Sequence, residues 1–422
     1  MATRQDHQSY SEEKLTLLAL SSTYGIYAFG GLYVLGSVIG YMLAGIVLLR
    51  SFVGQGLKVQ SVSAMQWVWH IGMLTMLLAL FIGHANWNLG MPQTIKSTIG
   101  WAKGWALMSL FIWLGACSYI RPHYVVRGVS LVAIHSLVFA LISVLAYIAG
   151  ISGDIYVSPL KVVGGPGPDF FKVSLFGMNP ETGAGRWQFF GPWAPSAGLI
   201  ACLSLVIVSL EKNDKIRRWA YFGCFVIVVL SQSRAGLAIF LVLIPLLSTQ
   251  KSLKHPALFF IAGVGLPALL LLGQPLFEAV MDSYQQVKDA RPDSTRVRNA
   301  LANIAIQRWQ SEAFWFGHGI IERGPKMVEF MPIGTHHSWY GLLFVKGLVG
   351  LFALAIPLFI SAVYLVWQGI HSKLAHRALC LVFVLLCYSF FENLEILMYL
   401  CWPAFLIIGM AFTPQKLENY DA

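Results

Sequence analysis

Apolar runs long enough to cross a bilayer, about 20 residues each, recur along almost the whole chain and decide what it can fold into. In hydrocarbon every backbone polar group has to be paired within the structure, so such runs are helices. Strands of a membrane barrel alternate polar and apolar residues, and these runs do not. The length criterion predicts about twelve spans. They lie near 15–31, 32–50, 65–83, 100–118, 125–149, 189–210, 217–231, 233–249, 256–274, 338–366, 377–392 and 396–412. The first two are joined so tightly that one long or broken helix is an alternative to two spans. The expected fold is therefore all-α, a polytopic membrane bundle forming one integral membrane domain over residues 1–422.

Composition agrees. Hydrophobic residues make up 57% and charged ones only 11%, where a soluble domain carries about a quarter charged. The formal net charge of +10 would suggest nucleic acid in a soluble protein. Here it matches positive residues at the cytoplasmic ends of spans, and the expected contact is membrane lipid, with no nucleic acid. Met1–Lys14 is polar, so no cleavable signal peptide is expected. The cysteines all fall in apolar runs without metal-ligand spacing and are expected to pack as small residues.

Loop charge sets an orientation. With a cytoplasmic N-terminus, the inside connections carry Arg50, Lys58, Arg121, Arg127, Lys212, Lys215, Arg217, Arg218, Lys251, Lys254, Lys373 and Arg377. The outside then receives two long loops, 150–188 and 275–337. In the second, seven basic residues balance seven acidic ones. Loops of that length are usually functional. Ser294–Trp315 reads as an amphipathic helix within it, with Ser294 or Thr295 as cap. That would place Arg296 and Arg298 in its first turn, where the dipole favours an anion. Chemistry on this face has no ATP and requires a substrate that arrives activated.

Four groups of residues have chemical potential there. Arg234, in Ser231-Gln232-Ser233-Arg234, sits at the outer end of two spans, where an arginine is costly unless it pairs or lines a watered cavity. Arg296 and Arg298 are equally well explained as a solvated helix face. Arg186 and Arg308 are better explained as surface charge. Arginine suits bidentate phosphate recognition, so several converging on one cavity would hold a diphosphate. His336 and His337 stand where the second loop meets an apolar helix. Adjacent helical residues point about 100° apart, so at most one would share a cavity with the arginines, as a base toward a hydroxyl. No metal is expected, since no His-x-x-x-His occurs on that helix. Glu392 or Glu395 would orient a histidine or pair an arginine, although a polar turn between helices is the plainer reading. The Gly/Pro-rich stretches 164–168 and 191–195 read as turns, with no P-loop signature.

Taken together, these residues resemble the O-antigen ligase and Wzy-type polymerase superfamily over roughly 186–350. In that family a His followed by Asn, Ser or Gln precedes nine residues and then Gly-x-x-Gly. His336 fits the spacing to Gly347 and Gly350 with His337 in the second place, while His337-Ser338 fits the pair but is one residue short. Ser231–Arg234, Ser294–Arg298 and Phe316-Gly317-His318-Gly319 resemble further family elements, and Gly191–Ser196 matches one only in part. The resemblance implies a glycosyltransferase at the periplasmic face of the bacterial inner membrane, without metal, nucleotide or other cofactor. It would move a glycan from undecaprenyl diphosphate to an acceptor hydroxyl. For a ligase the acceptor is the lipid A–core oligosaccharide; for a polymerase it is another lipid-linked repeat unit. His336 or His337 would be catalytic, with Arg234, Arg296, Arg298 and Arg186 on the diphosphate. A transporter or flippase is the rival of another class. Internal repeats and paired broken helices would favour it, and the sequence shows neither.

Overall fold

The computed structural model describes residues 10–52, 63–179, 183–250, 292–334, 337–414 and 416–417. The N-terminal half forms α1 (Ser11–Ser21), α2 (Thr23–Ala28), α3 (Leu32–Phe52), α4 (Ala64–Asn86), α5 (Met91–Lys103), α6 (Trp105–Cys117) and α7 (Pro122–Ile148). After the first long loop come α8 (Ala194–Val208), α9 (Asp214–Leu230) and α10 (Arg234–Ser248). Then follow α11 (Pro292–Glu312), α12 (Ser338–Gly369), α13 (Lys373–Ser389) and α14 (Met398–Ala411). Among the described residues, five segments are long and apolar enough to cross a membrane: α3, α4, α5 with α6, α7 and α12. Shorter apolar helices are α8, α10 and α14. The run 256–274 lies outside the described residues.

Several expectations shift in detail. The run 15–31 is itself two helices, separated from α3 by a turn in which Gly30 has φ +66°. The run 100–118 begins earlier and divides at Gly104, so that α5 is a helix of its own. The all-α expectation needs a small amendment. Within the first long loop, β1 (Asp154–Val157) pairs antiparallel with β2 (Lys172–Ser174), and β3 (Gly177–Met178) with β4 (Gly185–Arg186). Strands of two to four residues are too short to leave an alternating pattern.

The core is built around α8 and α14, which are buried on almost every side, as expected of short helices that are apolar all round. α14 packs most extensively on α6. A Cβ on Gly115 would stand 2.2 Å from the Leu406 carbonyl oxygen, and one on Gly409 2.1 Å from that of Ile112. Small residues thus let the two backbones approach, the usual device for apolar helices in lipid. Ion pairs tie helix ends together: Arg50–Glu12 at 2.7 Å, Arg121–Glu13 at 2.7 Å and Arg127–Glu211 at 2.9 Å. All but Glu12, Glu13 and Glu211 belong to the positive series read from the sequence.

α12 is broken. Gly347 has φ +65° and ψ −163° in its interior, where the sequence shows only one apolar run. The freed backbone groups are paired by residues 314–319. His318 N–H donates to the Phe344 carbonyl (2.8 Å) and Gly319 N–H to that of Val345 (3.0 Å), while Leu348 and Val349 N–H donate to the carbonyls of Phe314 (2.9 Å) and Trp315 (3.1 Å). The Phe-Gly-His-Gly segment and the Gly-x-x-Gly segment are therefore two halves of one joint. A Cβ on Gly347 would lie 2.3 Å from the Trp315 carbonyl carbon.

This predicts that Gly347→Ala destabilises by more than the ~1–2 kcal/mol of a left-handed backbone alone, because the added methyl also collides with backbone. Gly45→Ala, inside α3 with nothing within 4 Å of the new atom, is expected to stabilise by up to ~1 kcal/mol. Thermal unfolding of both variants in detergent checks the contrast.

Candidate functional site

The site is assembled where α12 starts. His337 is its N-cap: the Nδ1 atom accepts from the N–H groups of Trp339 (3.2 Å) and Tyr340 (3.4 Å). The ring stacks on Tyr340 at 4.1 Å and meets the edge of Phe390 at 5.7 Å. Burial lowers its pKa to about 4, so at neutral pH the imidazole is uncharged. With Nδ1 accepting, the proton sits on Nε2. His337 is thereby a structural cap and a donor, and its basic nitrogen is already spent. Thr335 and His336 lie outside the described residues.

Ser338 joins α12 to the turn after α13. Its hydroxyl donates to the Glu392 carbonyl (2.7 Å) and accepts from Leu394 N–H (3.0 Å). The Trp339 indole donates to the Ser389 hydroxyl at 2.8 Å. This turn delivers Glu392 into a buried position, 7% exposed. There its carboxylate accepts from the Trp193 indole N–H at 2.9 Å. Burial pushes the Glu392 pKa up to about 7; the Trp193 bond and the charges of Arg298 and Arg186 pull the other way.

The arginines divide by surroundings. Arg186, on β4, donates through Nε to the Ser231 carbonyl at 3.1 Å, and the Gln232 amide donates back to the Gly185 carbonyl at 3.0 Å. The first long loop is thus stitched onto the turn carrying Arg234, which is the first residue of α10 and exposed. Arg298, exposed on α11, is close enough for its charge to act on Glu392. Arg296 instead donates to the Met327 carbonyl at 3.5 Å. α11 starts at Pro292, so Ser294 and Thr295 lie inside the helix rather than capping it, and both arginines lie beyond its first turn. Its apolar face, Val297, Leu301 and Ala305, packs with Val328, Ile333 and Phe344.

Arg308 and His318 are structural. Arg308 pairs with Glu312 (2.8 Å) and Glu322 (2.5 Å). His318 bonds the Phe344 carbonyl through Nδ1 at 3.0 Å and Glu312 through Nε2 at 2.8 Å. Arg308 and His318 together hold the Glu312 carboxyl down to about 2.

Of the predicted residues, Arg186 and Arg298 are therefore brought to Glu392, Arg234 to the neighbouring turn, and His337 to the same helix start. The plain reading of Glu392 as a turn residue understated it. Its signal was an acidic pair between two apolar runs. Trp193 and Lys346 left no signal above their apolar surroundings.

These features define a helical membrane protein with a cation-rich site at the shared end of α8, α10, α12 and α13. The family model for O-antigen ligase matches residues 219–355, which are 137 of the 422. That segment includes Arg234, α11, the 314–319 joint, the His pair and the break in α12. The match supports membership of the O-antigen ligase superfamily. No curated protein matches the chain.

A carboxyl held above its ordinary value gives a definite pH dependence. Between about pH 4.3, the unfolded value for Glu, and 7, the folded state binds the extra proton. Stability is complete below that window and falls as pH rises through it. Glu392→Gln is expected to reduce the loss of melting temperature between pH 5 and pH 7.5, measured by thermal unfolding in detergent.

Proposed function

We propose that the protein is an O-antigen ligase. It transfers a glycan from undecaprenyl diphosphate to a hydroxyl of the lipid A–core oligosaccharide, at the periplasmic face of the bacterial inner membrane. The observation that carries this reading is the gathering of Arg186 and Arg298 about a buried Glu392, beside the His-bearing start of α12.

The diphosphate lies against Arg234, Arg298 and Arg186, with Arg296 on the same helix as Arg298. The charges of Arg298 and Arg186 act on Glu392, and a guanidinium presents the planar fork that matches phosphate oxygens. The acceptor oxygen attacks the anomeric carbon in line and the bond to the diphosphate oxygen breaks with its electron pair, giving inversion. The arginines neutralise the charge that develops on the leaving group. The hydroxyl proton passes to His336, since His337 is engaged as a cap. Holding donor and acceptor in line contributes as much as the base. No metal or nucleotide enters these steps. About twelve spans, with 150–188 and 275–337 as periplasmic loops, complete the reading.

The test is purified protein with lipid-linked glycan, with and without lipid A–core, in the presence of chelator. Transfer to core supports the ligase. Laddering without core would identify a Wzy-type polymerase, and translocation without transfer a flippase.

His336→Ala is expected to lower transfer by about 10²–10⁴-fold with the protein still membrane-inserted. His337→Ala costs ~1 kcal/mol of stability as a lost cap and keeps transfer. The reverse pattern would move the base one residue on. Arg234→Lys replaces a bidentate fork by a point charge. Both donor affinity and turnover are expected to fall, and wild-type values for both would refute the clamp.

A further inference from the structure

A cavity of about 730 Å³ opens beside Ser338, which lines it. Its walls are α5, the 163–166 turn, residues 319–321, the first half of α12 and residues 393–396. None of Arg186, Arg234, Arg296 or Arg298 reaches it. Gly334 and Ser338, which flank the His pair in sequence, both line it.

Its chemistry is not that of a diphosphate site. Lys346, 5% exposed and immediately before the break in α12, lines the cavity together with Glu395, and the charge of each acts on the other. Burial pushes the Glu395 carboxyl up, against the pull of the Lys346 charge. Lys96 and Lys103 also line the cavity and no described arginine does, so it lacks the bidentate fork that suits a diphosphate. What it does offer is ammonium donors and a carboxyl acceptor in one cavity, which suits sugar hydroxyls. Gln93, Ser97 and Asn393 add neutral polar groups, and Trp101 and Trp105 add flat apolar faces. Polar groups set among aromatic faces form the pattern of a saccharide pocket. Ionisable groups within an apolar bundle are costly and usually serve a ligand or pathway.

The mouth adds a second observation. α5 exposes Met91 (71%), Ile95 (55%) and Ile99 (49%) on one stripe, with Lys96 exposed beside them. Such a helix lies in a membrane interface with its apolar face in lipid. A ligand entering past it would have its sugars at headgroup level. Lys103 at the same rim reaches the carbonyls of Val163 (3.3 Å) and Gly164 (3.4 Å) and so fastens the opposite wall.

We propose that this cavity binds the terminal sugars of a lipid-anchored oligosaccharide acceptor, with Lys346 and Glu395 positioning its hydroxyls beside the loop that carries the His pair. This rests on the glycosyltransferase reading above. It assigns the acceptor to a cavity that the four diphosphate-binding arginines do not line.

The test uses full-length protein in nanodiscs. Ser97→Cys places a thiol on the cavity wall, and the native cysteines are buried or half-buried, so labelling by a polar maleimide is read against wild type. Delipidated core oligosaccharide is expected to slow labelling at least fivefold, and undecaprenyl diphosphate to leave it unchanged. The neutral pair Lys346→Met with Glu395→Gln avoids leaving one buried charge alone and is expected to abolish protection. In transfer assays, Ser97→Trp is expected to raise the acceptor KM by about tenfold with the donor KM unchanged. No protection by oligosaccharide, protection by undecaprenyl diphosphate alone, or a donor KM that rises equally would overturn the assignment. Protection in a chain that transfers nothing would overturn the enzymatic reading and leave the pocket standing.

Discussion

The joint at Gly347 is the constraint on which the rest of the structure depends. An apolar helix cannot break within a membrane bundle unless something else pairs its freed amides and carbonyls. Residues 314–319 do so with four backbone hydrogen bonds, and His318 adds a side-chain bond to the Phe344 carbonyl. Gly347 and Gly317 both have positive φ, +65° and +66°, and each would drive a Cβ into the other strand of the joint. The loop helix α11 is thereby fixed to α12. The Arg308–Glu312–His318 network, stacked under Trp87 and Phe344, holds it in place. Exposed ion pairs of this kind contribute little singly. Here they orient an element whose backbone is already committed.

A second joint depends on the first. The α12 segment above the break carries its own cap, His337, and Ser338 ties it to the turn holding Glu392. A carboxylate buried beside Trp193 needs positive charge nearby, and Arg186 and Arg298 supply it from two otherwise separate loops. The outer surface of the bundle is in this way drawn together around one acidic residue.

Much of this is written in the sequence at the level of elements. Apolar runs give the helices, and three of the basic connection residues, Arg50, Arg121 and Arg127, form ion pairs between helix ends that the sequence does not reveal. The spacing from His336 to Gly347 and Gly350 is legible as a motif. Its physical reason is not, because the Gly347 backbone conformation and its partner at 314–319 exist only in three dimensions. The adjacent histidines look alike in sequence; that His337 caps α12 through Nδ1 is visible only in three dimensions. Arg186 resembles surface charge until β4 is seen against the 230–232 turn. Lys346 hides within an apolar run, since hydropathy averages one lysine away. The division at Gly104 is equally hidden, because α5 and α6 together have the length and apolarity of one span.

The broken helix also decides what its first half can line. A continuous α12 would carry position 346 on as part of a regular span. Broken at Gly347, it leaves Lys346 at the end of a short half-helix, lining a cavity that Arg186, Arg234, Arg296 and Arg298 do not line. Ser338, at the other end of that half-helix, is bonded to the Glu392 carbonyl and also lines the cavity. Nine residues from Ser338 to Lys346 therefore connect the turn that carries Glu392 with the joint at Gly347. Because that joint fixes the half-helix and also anchors α11, the placement of Lys346 and of Arg298 rests on backbone hydrogen bonds rather than on flexible side chains.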